Sequence, residues 1–199
     1  MVVGLIASRT MTQVRAKYSW DATQLWRHTV TTAVAASVLG RRVEVVEAAA
    51  FTAGPLHDLG KLICVSVEGT SYAEMLRNTR QSGPFLTAAE VTLMGFSHAA
   101  LGARLLARWG LPANICVAVE LHHQSPLAAA KHQRLAATVN FANCLVHQMM
   151  DGPEPAPAAA DVSPEAMALV ELRAQEIPAV VQEITEASKR VQGLLHMQI

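Results

Sequence analysis

Apolar and polar positions along this chain recur with the 3.6-residue spacing of helices, and no stretch shows the alternation of a strand. Asp21 followed by Gln24 has the form of a capping box. It opens an apolar run through Leu25, Val30, Val34 and Val38, and Gly40 is placed to end that helix. A second helix is predicted from Val43 or Glu44 through "VEAAAFTAG" toward His57. Pro55 has no N–H and conflicts with the carbonyl of Phe51, so that helix kinks or restarts and the backbone entering His57 is irregular.

Further on, "SYAEMLRNTRQ" reads as a short polar helix ended by Ser82-Gly83-Pro84. Thr87 and Glu90 form a second capping-box pattern, and Ser97 caps a helix that starts at His98 and closes at Gly110. Pro112 suits a helix start that leads to His122-His123, and after Ser125-Pro126 a long helix runs to about Met150. "DGPEPAPAAADVSP" is the one compositional boundary. It divides the chain into a helical domain over 1–150, a Pro/Ala-rich linker over 151–163 and a C-terminal helical segment over 164–199, interrupted by Pro178. The expected fold class is all-α.

Composition narrows the choice. Of 199 residues, 51% are hydrophobic and 16% charged, which supports a sizeable core, and the alanine share favours helices. Lys+Arg and Asp+Glu balance at 16 each, so no net field draws the chain to nucleic acid or to anionic lipid. No apolar stretch reaches the roughly 18 residues of a membrane span. The opening "MVVGLIASRT" lacks the basic region of a signal peptide. Cys64, Cys116 and Cys144 are odd in number and widely spaced, which fits reduced thiols in a cytoplasmic protein.

Candidate chemistry lies in the eight histidines. His28, His57, Asp58, His98, His122 and His123 fall at helix ends or on inward-facing positions, and imidazole with carboxylate suits Fe, Mn, Zn or Ni. Adjacent helical residues diverge by about 100°, so His57 and Asp58 converge only beside a helix break. Spacing by itself leaves other readings open. His57-Asp58 works equally as a hydrogen-bonded structural pair, and His122-His123 as a pair favoured at a helix C-terminus. Lys61 reads either as a solvated lysine or as a point charge facing a phosphate. Glu90 reads as a cap for Thr87, and His132, His147 and His196 as surface residues. Trp20, Trp26 and Trp109 read as core anchors.

Four blocks in order, "LWRHT", "FTAGPLHDLGKLI", "MGFSHAALGARLLARWGLP" and "VAVELHHQSP", resemble the HDOD family, the HD-related output domain of bacterial signalling proteins. The resemblance runs from Leu25 to about His147. It implies a compact, HD-like helical bundle that works as a regulatory module, with signalling proteins or a phosphorylated small messenger as partners. The related HD and HD-GYP phosphohydrolases hold metal with an upstream His, the His-Asp pair, a further His, a His-His pair and a late Asp. Carried over, those roles fall on His28, His57, Asp58, His98, His122 and His123, with Asn143 at the position of the late Asp. In an enzyme, Asp58 and Lys61 would be the catalytic pair.

Several positions depart from that pattern. Asn143 replaces a carboxylate by an amide, Gln24 stands where multinuclear relatives carry Glu, no "GYP" follows "HHQ", and Pro55 precedes "LHD". A two-metal cluster needs carboxylates to offset its charge, so at most one divalent ion is expected. Only residues 1–24 precede the first block, where the family carries a helical subdomain, and a shortened subdomain would leave apolar surface for a homodimer. Two functions follow from the resemblance: an output domain with a partly degenerate metal site, or a metal-dependent phosphohydrolase acting on a nucleotide or cyclic dinucleotide.

Overall fold

The computed structural model describes residues 22–43, 45, 47–78, 83–151 and 168–196, and among these there are helices and turns but no strand. In chain order the α-helices are α1 (Ala22–Arg42), α2 (Glu47–Leu56), α3 (Leu59–Glu68), α4 (Thr70–Asn78), α5 (Gly83–Met94), α6 (His98–Arg108), α7 (Ala113–Glu120), α8 (Ala130–Asp151) and α9 (Ile177–His196). Short 3-10 turns lie at Ser125–Leu127 and Ala174–Glu176. The all-α expectation holds.

Alanine-rich faces let these helices approach closely, because interaxial distance follows the size of the side chains at the contact. Ala35, Ala36, Ala50, Ala53, Ala118, Ala136, Ala137 and Ala142 are wholly buried in the larger core with Leu39, Leu106 and Val146. α1 packs against α2, α8 and α9, and α7 packs against α6 and α8. A second, smaller core gathers Leu25, Leu62, Cys64, Val65, Tyr72, Leu76 and Leu86 from α1, α3, α4 and α5. Leu59, one residue past Asp58, packs against both cores. The His-Asp pair therefore lies where the two cores meet.

Several local expectations are corrected. α1 runs past Gly40 to Arg42, because Val43 is buried and the Val43 and Val45 amides still donate to the Leu39 and Gly40 carbonyls. α2 starts at Glu47. Pro55 sits in the last turn of α2 without ending it, and the break falls two residues later, on His57 and Asp58 themselves. A proline there removes only one bond at a helix end whose final carbonyls lack helical partners anyway. α5 starts at Gly83 with Pro84 in its first turn, so Thr87 lies inside the helix and not at its N-cap position. Trp109 is 45% exposed and anchors no core, whereas Trp26 is half-buried against the smaller one. Trp20 and nearly all of the Pro/Ala-rich linker fall outside the described residues.

Other expectations match. Ser97 caps α6 by accepting from the Ala100 amide at 3.2 Å, and Gly110 follows α6 at φ 77°. Pro112 is the N-cap of α7. The C-terminal segment joins the larger core through Val180 and Ile184, and Arg41 and Arg42 of α1 pair with Glu183 at 3.1 and 2.9 Å. Burial should outweigh charge at this contact. Ile184→Ala is expected to cost about 2–5 kcal/mol. Glu183→Ala, which breaks only exposed pairs, should cost about 1 kcal/mol or less. Urea denaturation of the two variants measures the difference.

Candidate functional site

The break between α2 and α3 aims the site. With His57 and Asp58 on a two-residue turn, their side chains escape the 100° divergence of a continuous helix. Two glycines let this turn sink into the protein. A Cβ on Gly54 would lie 2.7 Å from Ala33 Cα and 2.9 Å from the Thr32 carbonyl of α1. A Cβ on Gly60 would lie 1.9 Å from the His98 carbonyl at the start of α6. The HD turn is thus wedged between α1 on one side and α6 on the other.

All six residues expected to bear ligand atoms come together. His28 arrives from α1, His98 from the first position of α6, and His122 and His123 from the turn after α7. His28, His57, Asp58, His98 and His122 are buried, and His123 is half-buried. Asp58 stands at the centre with its two oxygens facing opposite ways. Oδ2 lies 3.3 Å from His57 Nε2, 3.9 Å from His28 Nε2 and 2.8 Å from Lys61 Nζ. Oδ1 lies 3.3 Å from His98 Nε2. His122 forms the back wall, its ring centroid 5.0 Å from His57, 5.5 Å from His98 and 3.9 Å from His123.

Hydrogen bonds at the outer ring nitrogens orient three of these imidazoles. His57 Nδ1–H donates to the Gly54 carbonyl at 2.5 Å, and His122 Nδ1–H to the Val119 carbonyl at 2.7 Å. His98 Nδ1–H donates to Glu90 Oε2 at 2.7 Å. Such bonds fix the tautomer and point Nε2 into the pocket, the arrangement that metal-binding histidines use. His28 Nε2 meets His57 Nε2 at 3.3 Å, close enough for the two rings to share one proton.

Glu90 and Tyr72 stand directly behind the pocket, a placement that sequence reasoning missed. Glu90 is fully buried and receives the His98 amide at 2.8 Å, the His98 ring, and the Tyr72 hydroxyl at 2.5 Å. Its partner stands eight residues away, beyond the i, i+3 window in which a capping box is sought. His147 was likewise expected at the surface, yet its ring is half-buried with its centroid 4.3 Å from that of His28. His132 is half-buried at the start of α8, and the side chain of His196 lies outside the described residues. Asn143, one turn before His147 on α8, is buried with Oδ1 unbonded. Gln24 is exposed, so the carboxylate of multinuclear relatives has no counterpart there. Asn140 donates to the His122 carbonyl at 2.6 Å and secures the turn after α7.

Electrostatics divide the pocket. Burial, then His147 and His57, holds His28 well below the ordinary histidine range. Burial with His57 and His98 does the same to His122, and burial with His122 to His123. His98 is raised: burial opposes its charge, but Asp58 and Glu90 outweigh that. Burial by itself raises the Asp58 carboxyl, yet His57, Lys61 and His98 hold it well below the carboxylate range. Beside Tyr72 and Glu90, the Cys64 thiol is pushed up to about 12, first by burial, and is inert as a nucleophile.

A histidine lowered by folding stabilises fully above its unfolded value near 6.5, and that contribution is lost as pH falls below it. His98, raised, contributes fully below 6.5 and loses its share as pH rises through its folded value. Three lowered imidazoles outnumber one raised. The chelator-treated chain should therefore unfold at lower urea concentration at pH 5.5 than at pH 7.

Fold and pocket together define a class: an all-α domain in which four separate segments converge histidines and one shared aspartate on a buried centre. Residues 1–125 match the sequence model of the HDOD domain family, and the chain belongs to that family. An uncharacterized protein of Treponema pallidum (strain Nichols) is 30% identical over 140 residues, which cover 66% of this chain and 26% of that protein. The fold resembles a candidate phosphohydrolase of Shewanella amazonensis SB2B with TM-score 0.64 at 18% identity, over 84% of this chain and 60% of that one. It also resembles the MmoQ response regulator of Methylococcus capsulatus str. Bath with TM-score 0.61 at 24% identity, over 81% of this chain and 62% of that one. The chain spans about a quarter of the curated relative and less than two thirds of either structure. At these identities the structural likeness is one of fold. No helix among the described residues is long and apolar enough to cross a membrane.

Proposed function

We propose that this chain is a cytoplasmic signal-transduction output domain that acts by binding a protein or a phosphorylated small messenger, around an HD-type pocket short of carboxylates. The observation that carries this reading is where the negative charge goes. Asp58 is committed to Lys61, and Glu90 to His98 and Tyr72, while Asn143 and exposed Gln24 supply none. A two-metal hydrolase centre needs carboxylates to offset its ions, and this pocket has one facing inward. Burial of His57, Asp58, His98 and His122 also leaves His123 as the ligand residue nearest to solvent. The likeness to a response regulator accords with a signalling role.

A second reading has its own support. The Nε2 atoms of His122 and His123 lack hydrogen-bond partners and that of His98 faces Asp58 Oδ1 at 3.3 Å, so the residues fit a divalent ion. Bound there, such an ion would supply an acidified water and polarise a phosphoryl oxygen. Asp58 would hold it and Lys61 would face the phosphate. The experiment that separates the readings incubates purified protein, with Mn2+ or Ni2+, with cyclic di-GMP and with simple phosphate monoesters. No turnover, together with a cyclic di-GMP thermal shift that His122→Ala abolishes, is the expected result for a messenger-binding output domain. Metal-dependent turnover would overturn it in favour of the phosphohydrolase.

A further inference from the structure

We infer that α5 is the contact through which two copies of this chain associate about a two-fold axis. α5 (GPFLTAAEVTLM) carries no charged residue except Glu90. It rests on the smaller core through one stripe, Leu86, Glu90 and Met94, which recur every four residues and so share a face. Successive helix positions lie about 100° apart, so the exposed residues Ala88, Val91, Thr92 and Leu93 fan over the outer side from one flank of that stripe to the other. None of the four is charged. A helix apolar on every side is normally enclosed on every side, and this one is not. Val91 is 51%, Leu93 45% and Phe96 40% exposed. Three of the seven exposed large hydrophobic side chains among the described residues therefore fall within six positions, a concentration that marks interaction surfaces. A Cβ on Gly95 would meet nothing within 4 Å, so the end of the helix is open as well.

Charge decides the occupant. In a two-fold contact the same patch meets itself, so a charged side chain near the axis faces a like charge. The outer side of α5 has none to oppose. The whole chain is neutral, with Lys+Arg and Asp+Glu at 16 each, so two copies approach without net repulsion. A two-fold axis across α5 also sets the paired helices antiparallel, which brings the positive end of each beside the negative end of the other. Ala88 on the outer side is small enough to let the two backbones come close. A strongly acidic or basic partner would find no counter-charge on this surface. One helix with Phe96 at its end offers less than a standard interface, so the dimer should be weak and concentration-dependent. On its inner side α5 holds Glu90 against the His98 amide and ring at 2.8 and 2.7 Å. The contact thus lies one helix diameter, about 10 Å, from the pocket, on the element that orients His98. The inference goes beyond the reading above and is independent of what the pocket binds.

Sedimentation equilibrium of the full chain, from micromolar to millimolar concentration, tests it. A monomer–dimer equilibrium is expected, and raising NaCl to about 1 M should not weaken the dimer, because no ion pair holds it. Val91→Lys and Thr92→Lys, both at exposed positions and each verified as folded by circular dichroism, should each weaken association about tenfold or more by setting like charges face to face. Leu127→Lys adds the same charge outside α5, at a side chain 71% exposed, and should leave the equilibrium unchanged. A monomer at every concentration, as expected if another segment or a different protein covers α5, overturns the inference. So does a trimer or larger assembly, a dimer that dissociates as salt rises, a dimer that either α5 variant leaves intact, or one that Leu127→Lys weakens as much. The measurements on the unaltered chain need no variant, so misfolding cannot shield the inference.

Discussion

Gly60→Ala is expected to destabilise the protein by about 3 kcal/mol or more, at the upper end of what an added methyl costs in a packed interior. The new Cβ would stand 1.9 Å from the His98 carbonyl and 2.7 Å from its carbon. Those neighbours are backbone at the first turn of α6, so no side chain can rotate aside. Relief requires the α3 and α6 backbones to separate, which moves His98 away from Asp58 and Glu90 together. For a chain of this length the melting temperature should fall by about 6–12 °C. Divalent-ion uptake should fall with it. Calorimetry and metal titration of the same sample check both, and a variant melting within about 2 °C of the parent would show that the α3–α6 crossing is looser than described.

Asp58→Asn should cost about 3–5 kcal/mol, because it strands the Lys61 ammonium in the interior without its counter-charge. Lys61 and Asp58 are both buried and 2.8 Å apart. Lys61→Met by itself should cost less, since the Asp58 carboxylate keeps His57 and His98 beside it. The double variant Asp58→Asn/Lys61→Met should recover much of the loss, a non-additivity that a double-mutant cycle in chelator reads directly. If the two costs simply add, Asp58 and Lys61 are not coupled.

The parts of the fold and site that could be read along the chain are those in which cause and effect lie within a turn or two. Ser97 caps the helix it precedes, Pro112 starts α7, and the His-Asp pair sits at a helix break, each through contacts with near neighbours. The failures are of the opposite kind. Thr87 and Glu90 carry a capping-box spacing, yet Glu90 turns inward because His98 and Tyr72 offer a buried carboxylate three donors. Pro55 has the local signature of a break, but Leu56 is drawn into the larger core and carries the helix one residue past it. Gly40 has the signature of a stop, and burial of Val43 carries α1 beyond it. His147 has no motif around it, and only the packing of α1 on α8 sets it against His28.

Composition and periodicity were enough to determine an all-helical protein, and the order of four short blocks to determine its family and the six side chains worth watching. These depend on residue type and on spacing, which the chain carries openly. Which oxygen of Asp58 is spent on Lys61, which imidazoles bond each other and which are left without partners, and that Glu90 stands behind His98, were decided only when α1, α3, α6 and α7 packed around one turn. Hydrogen-bond satisfaction in a buried pocket depends on a few tenths of an ångström between atoms dozens of residues apart, and no pattern along the chain encodes that distance.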